Sequence, residues 1–320
     1  MSFQESARGE EHVAAVESLM RESLSSDLPL LAEVCDYVFE AGGKRLRPGL
    51  ALLTGKMMGA AIDDVIPAAA AVEMIHTATL LHDDIMDASP MRRGRLTASR
   101  RWDPVVAVYA GDFILSRAFT LLAGYGRCDI LDAFSEVTSR LCRGEVLQAR
   151  HRRDLDITVD EYLHIIDCKT AHFLSACCRV GGMVANAPAA ELDALSHYGT
   201  QIGLVFQITD DLLDYVGDTE ETGKDVGADY REGKYTLPIL MALQCEDCDG
   251  PVRALLSQEP SEAAFRGVRS SVMACGAVER ARAFANDCTQ AAIAALDPLP
   301  AGAERDALRN LAKWIASRTT

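Results

Sequence analysis

A chain of 320 residues with 49% hydrophobic content can bury a large core, enough for one big domain or two ordinary ones, so size is no obstacle to an enzyme. A formal net charge of −15 repels nucleic acid and acidic membrane surfaces over most of the molecule, so any anionic ligand needs local cations or metal. Ten cysteines without the rhythm of a disulfide scaffold read as reduced core residues.

From Met1 to Val13 the chain is polar and acid-rich, with neither the basic leader nor the apolar stretch of a secretory signal. A polar tail and helix start over residues 1–20 and a single helical domain over 21–320 are expected. No charge-free run of about 18 apolar residues occurs, so no membrane span is expected. The expectation is a cytoplasmic protein, with transient contact at a membrane surface left open.

Apolar residues then recur at three and four positions over Val13 to Phe39, Ala68 to Leu81, Val105 to Leu122, Ile130 to Leu147, Tyr162 to Val184 and Leu192 to Leu213. Period-two alternation is missing over any useful length, which predicts an all-α chain. Gly42-Gly43 after Glu40, and Asp63-Asp64 before Pro67, supply punctuation. The loosest stretch, Cys245 to Ser261, sets off a C-terminal group ending at Leu308 to Arg318 as a peripheral cap. Its Cys245-x-x-Cys248 has no second pair at zinc-finger spacing and stays outside the candidate site.

Two helical runs end in the same five-residue pattern. Asp83-Asp84-Ile85-Met86-Asp87 follows the first, and Asp210-Asp211-Leu212-Leu213-Asp214 the second. Residues four apart share a helix face, so Asp83 with Asp87, and Asp210 with Asp214, each present two carboxylates in one direction. A lone acidic run is usually a solvated face. Two such clusters aimed across a shared cavity would hold several Mg²⁺ ions and leave coordination places for phosphate.

Cations recur near both. Gly42-Gly43-Lys44-Arg45-Leu46-Arg47-Pro48 joins two helices, where Lys44 and Arg47 suit a diphosphate as point charge and bidentate fork, or merely cap a helix. Arg92-Arg93-Gly94 follows the first acids, bracketed by Pro90 and Gly94 in a turn able to point back over bound phosphate. His76 lies two turns before Asp83 on roughly the same face and can donate to a phosphate oxygen, although a lone His on an apolar helix is more often core. Gln207 shares a face with Asp211, and Lys224 and Lys234 follow in a glycine-rich segment from Gly217 to Gly233 able to close over an anion. Lys169-Thr170 sits mid-helix.

In order, Gly-Gly-Lys-Arg-x-Arg-Pro, Leu-Leu-His-Asp-Asp-x-x-Asp with Arg92-Arg93-Gly94, Gly111-Asp112-Phe113, Gly144-Glu145, Lys169-Thr170, Phe206-Gln207 with Asp210-Asp211-x-x-Asp214, and Gly233-Lys234-x-Thr236-x-Pro238 resemble the trans-isoprenyl diphosphate synthases over about Leu28 to Arg318. The resemblance implies an isoprenoid-synthase-like helical bundle around a central cavity, in a homodimer. It implies an enzyme that extends an allylic diphosphate by head-to-tail condensation with isopentenyl diphosphate. Isopentenyl diphosphate falls to Lys44, Arg47, His76 and Arg93. The allylic diphosphate falls to Arg92, Lys169, Thr170, Gln207, Lys224 and Lys234, with Mg²⁺, about three ions to a site, on Asp83, Asp84, Asp87, Asp210, Asp211 and Asp214. Asp83, Asp87, Arg92, Lys169, Lys224 and Lys234 are the expected catalytic set.

One departure from the long-chain members is Ser99-Arg100-Arg101-Trp102-Asp103-Pro104, where they usually carry Asn and an aromatic-Gly-Asn stretch; it touches no metal or phosphate position but bears on the local loop and the dimer contact. Small residues, Ala78 and Thr79, precede the first acids where short-chain members place bulky aromatics. The helix from Pro67 to Asp83 spans on the order of 25 Å, so a long all-trans product of about C30 to C50, at roughly 5 Å per isoprene, suited to a quinone side chain, is expected, with Leu121, Leu122 and Phe134 as candidate floor residues. The alternatives are a farnesyl or geranylgeranyl synthase, a non-catalytic prenyl-synthase subunit, which would have lost acid-motif residues, and a terpene cyclase, whose second motif is more mixed.

Overall fold

The computed structural model describes residues 10–217 and 226–319, and within them the chain is helical apart from one two-stranded hairpin. The described residues gather into two compact units. One runs to Phe134 and includes Cys177–Leu192 and Pro300–Leu308; the other comprises Ser135–Ala176, Asp193–Leu299 and the chain from Arg309. In chain order the elements are α1 (Glu10–Ser23), α2 (Pro29–Glu40), α3 (Leu46–Met57), α4 (Ile62–Met86), β1 (Met91–Arg92), β2 (Arg95–Leu96), α5 (Ala98–Arg101), α6 (Pro104–Ala123) and α7 (Cys128–Arg150). There follow α8 (Val159–Ile166), a π-helical turn Asp167–Ala171, α9 (His172–Val184), α10 (Ala189–Val216), α11 (Ala228–Glu232), α12 (Leu237–Leu243), α13 (Asp249–Leu256), α14 (Glu262–Ala274), α15 (Ala277–Ala295) and α16 (Ala303–Ala316).

In the first unit, the single run expected from Val13 to Phe39 is two helices. Ser25, Ser26 and Asp27 favour a turn, and Pro29 at the start of α2 holds Leu28 in extended backbone. Apart from Glu73, helix α4 is apolar and buried on every side across Ala68–Ile75, and it packs against α1, α3 and α6. Asp63 and Asp64, expected to mark a break, form its first turn instead, where acids suit the positive end of the helix dipole.

Pro67 therefore lies inside α4, where it has no N–H and crowds the carbonyl one turn earlier. The Tyr125 hydroxyl fills the opened ladder: it accepts the Ala68 N–H at 3.0 Å and donates to the Asp64 carbonyl at 2.5 Å. Burial pushes this phenol up to about 12, so it stays the neutral donor. Tyr125→Phe is expected to cost about 1–2 kcal/mol, because both backbone groups lose their partner. A denaturant titration would show it as a lower midpoint at unchanged slope.

After α4 the chain makes a hairpin in which Arg92 pairs with Arg95. Arg93 (φ 51°) and Gly94 (φ 75°) are both left-handed, the requirement of a two-residue type I′ turn. The divergent segment Ser99–Pro104 has its own construction. Asp103 caps α6 by accepting the Val105 N–H at 2.7 Å, and Trp102 meets Tyr37 edge to face at 5.1 Å. Arg95 and Arg101 lie over the Tyr37 ring at 4.0 and 4.3 Å, cation–π contacts that tie hairpin and α5 to α2.

By length and mean hydropathy α4 and α6 are long and apolar enough to cross a membrane, although neither is free of charge. Two-thirds of the most apolar window of α4 is buried within the protein, against one-third of that of α6. Glu73 interrupts α4, and Asp112 and Arg117 interrupt α6.

The second unit is built on Tyr162, Ile208, Leu212, Leu240, Phe265 and Val268, all buried. Helix α8 opens with a reciprocal capping box between Thr158 and Glu161. The stretch expected to be loosest contains α13, because Val252, Leu255 and Leu256 fall at helical spacing and pack on this core.

Candidate functional site

In the first unit the Gly42–Arg45 linker between α2 and α3 passes beneath the hairpin. At Gly43 a side chain would press within 3.1 Å of the Arg93 guanidinium, so the bare backbone is what lets Arg93 lie there. Arg45, whose backbone begins α3 in a left-handed conformation, bonds Glu73 at 2.7 Å and Glu17 at 2.9 Å. Glu73 is only 4% exposed, so its charge requires this partner.

Arg45, Glu73, His76, Asp84, Arg92 and Arg93 line one cleft. Burial first, and then the charges of Arg47, Arg93, Arg92 and Arg45, hold the His76 pKa well below its ordinary value. The ring is therefore neutral at pH 7, offering one N–H and adding no charge to a cationic wall. Lys44 is exposed on the linker and Arg47 sits one residue into α3; among the described residues neither lines this cleft, although the Arg47 charge reaches His76.

The first acid cluster closes α4. Asp83 is half-buried, Asp87 exposed, and the Asp87 N–H bonds the Asp83 carbonyl at 2.9 Å, which stacks the two residues one turn apart. Asp84 turns inward, 4% exposed, and takes Arg92 Nε at 2.6 Å. Burial raises its pKa and Arg92 partly offsets that.

In the second unit Lys169 lies on the π-helical turn, with its ammonium 2.7 Å from Glu145 and also bonded to Gln148. Gly144 permits this, since a side chain there would come within 2.6 Å of Lys169 Cγ. Thr170 donates to Gln207 at 2.9 Å, Gln207 donates to Asp211 at 2.8 Å, and Tyr162 donates to the other Asp211 oxygen at 2.6 Å. Burial still lifts Asp211 to about 6. Lys169, Gln207, Asp211, Asp229 and Lys234 line a second cleft, and Lys234 also pairs with Glu232 at 2.5 Å.

Asp210 accepts Arg318 at 2.7 Å, and that guanidinium lies 5.3 Å from the centre of the Phe206 ring. Asp214 accepts the N–H groups of Gly227, Ala228 and Asp229 at 2.9–3.1 Å, holding the start of α11. Both its oxygens are engaged with backbone. Lys224 lies outside the described residues.

The match to known proteins follows the same landmarks. A family model described as polyprenyl synthetase matches residues 28–268. The chain belongs to the polyprenyl synthetase family. It is 38% identical over 308 residues to octaprenyl diphosphate synthase of Escherichia coli (strain K12), covering 96% of this chain and 95% of that protein. Among solved structures it resembles a decaprenyl diphosphate synthase from Rhodobacter capsulatus, at a TM-score of 0.94 and 37% identity over 99% of each chain. It also resembles a polyprenyl synthase from Caulobacter crescentus CB15 complexed with calcium and isoprenyl diphosphate, at a TM-score of 0.92 and 37% identity over 100% of this chain and 98% of that one. The all-α fold is thus that of the polyprenyl synthases.

Both acid clusters have the chemistry of a divalent-cation site. Their donors are carboxylate oxygens, the hard ligands that Mg²⁺ and Ca²⁺ take. Each cluster closes the C-terminal end of a long helix, α4 or α10, and neither last turn contains a basic residue. Arg92 pairs with Asp84 and Arg318 with Asp210, and a divalent cation would offset further negative charge at these helix ends. Sequence reading passed over Glu73, Tyr162, Gln148, Asp229 and Arg318, each tied to the site by a partner far away in the chain.

Proposed function

We propose that this protein is a divalent-metal-dependent trans-prenyltransferase that extends an allylic diphosphate with isopentenyl diphosphate to a long all-trans polyprenyl diphosphate. The placement of two intact acid clusters towards the C-terminal ends of two long helices, in a member of this family, is the observation that carries the reading. In it, Asp83, Asp87 and Asp210 would hold Mg²⁺. Asp84 and Asp211 lie behind them as inner carboxylates, and Asp214 positions the α11 turn. Bound Mg²⁺ would supply the positive charge that stabilises a departing diphosphate.

Lys169 and Lys234, with Lys224 and Arg92, add fixed positive charge to the same leaving group, more useful in the transition state than in the substrate. Thr170 and Gln207 orient it. Isopentenyl diphosphate is held by Lys44, Arg47 and Arg93 beside neutral His76, so that its double bond attacks the allylic carbon. The proton then lost passes to the released diphosphate, itself a base. Incubating the protein with labelled isopentenyl diphosphate, Mg²⁺ and primers of increasing length, then sizing the products, tests the proposal. No metal-dependent elongation with any primer would refute it.

The division of roles has its own check. Lys44→Ala and Arg47→Ala should weaken isopentenyl diphosphate binding by about 1.5–3 kcal/mol, one lost charge-assisted contact each, and change primer binding less. Titration calorimetry with both ligands would expose the reverse ranking. A homodimer is also part of this reading: Val105, Val108 and Tyr109 leave an exposed apolar face along α6. The molar mass in solution should be twice that of the chain, and Tyr109→Glu should lower it.

A further inference from the structure

The Cys-x-x-Cys that sequence reading set aside lacks a second pair, yet the fold supplies a third thiol. Cys245 and Cys248 lie in the tight turn between α12 and α13, where the Cys248 N–H bonds the Cys245 carbonyl at 2.9 Å. Cys275 ends α14, and Gly276, in the left-handed region at φ 69°, turns the chain at once into α15. The three sulfurs lie within 4.8 Å of one another, and all three residues are half-buried. Arg280 bonds the Cys275 carbonyl at 2.9 Å and the Met241 carbonyl at 2.7 Å, so one guanidinium clamps the two segments that carry the thiols.

We propose that Cys245, Cys248 and Cys275 form a binding site for a soft, thiophilic divalent cation of the Zn²⁺ class, separate from the carboxylate clusters. A tetrahedral ion about 2.3 Å from each sulfur needs sulfurs about 3.8 Å apart, so an adjustment of about an ångström closes the site. Binding breaks three S–H bonds, forms three metal–sulfur bonds and releases three protons to solvent, with no change of oxidation state. Water takes the fourth position. Three thiolates around a divalent ion leave one net negative charge, and Arg280 supplies the neighbouring positive one. The ion fastens the α12–α13 turn to the α14–α15 junction.

The test uses the full chain, reduced with a phosphine, stripped of metal, and titrated with Co²⁺ in excess Mg²⁺ so that carboxylate sites are filled. The expected result is one equivalent of Co²⁺ giving thiolate-to-metal charge-transfer absorption. Cys245→Ser, Cys248→Ser and Cys275→Ser should each weaken it by at least about tenfold, the lesser cost of losing even an outer-shell partner. Cys128→Ser, at an exposed cysteine elsewhere, should not. Independently of any variant, Zn²⁺ should protect Cys245, Cys248 and Cys275 of the wild-type chain from maleimide, as read by peptide mapping. Absence of the charge-transfer band, protection at Cys168 with its neighbours His164 and Asp167 instead, or a Cys245–Cys248 disulfide that excludes metal would each overturn the proposal.

Discussion

Asp83→Ala and Asp210→Ala should each lower turnover by at least about a hundredfold, since each removes a charge from the proposed metal site. The structure separates this loss from unfolding. Asp83 stands in the last turn of α4, at the negative end of its dipole, so its removal relieves electrostatic repulsion and should leave the melting temperature unchanged or slightly higher. Asp210, further from the end of α10, also loses half-buried Arg318 as a partner, so the melting temperature of its variant should fall slightly, well short of unfolding. Asp214→Ala should behave differently: it strands three backbone N–H groups at the start of α11, so its thermal stability should fall along with its activity. Steady-state rates against Mg²⁺ concentration decide the matter. Near-normal rates with unchanged metal dependence in both the Asp83 and Asp210 variants would remove these residues from the metal site.

Much of this was legible because it is written at short range. The four-residue spacing of the acids, the apolar runs before them and the Gln207–Asp211 relation are consequences of helical period, and each stands as expected. The turn at Arg93-Gly94 is likewise local chemistry. What escaped reading depends on partners distant in sequence. Glu73 looks like an acid misplaced in an apolar helix until Arg45, 28 residues away, is found against it. Arg318, 108 residues from Asp210, gives no periodic signal at all. Lys169 read as uninformative because its meaning comes from Glu145, Gln148 and the bare backbone of Gly144 on a neighbouring helix. Pro67 misled for a related reason: the group that repairs the helix around it is Tyr125, 57 residues on from the Ala68 amide.

Ala78→Phe should shorten the product and Phe134→Ala should lengthen it, both with metal dependence intact. Thr79 lies one turn before Asp83 on the same face of α4, with Ala78 beside it, so a ring at either position would stand just below a diphosphate held at Asp83. From Asp83 back to Pro67 the helix offers on the order of 25 Å, at about 1.5 Å per residue, more than a three-unit tail needs at roughly 5 Å per extended isoprene. Leu122 and Phe134 are fully buried in the same unit and Leu121 partly so, the bulk expected of a floor. Ala78 is 1% exposed, so the added ring is overpacked and costs about 1–3 kcal/mol, a loss that a domain stable by about 5–15 kcal/mol survives. Phe134→Ala costs more, about 3–5 kcal/mol, so its products should be sized well below its own melting temperature. Thr79→Phe, at a partly exposed position, repeats the occlusion with less strain and should shorten the product as well. Because a general loss of packing would lower rate without shifting length, the length distribution is the measurement that discriminates. A wild-type product of no more than four isoprene units, or a distribution indifferent to a ring at both positions 78 and 79, would place the floor elsewhere.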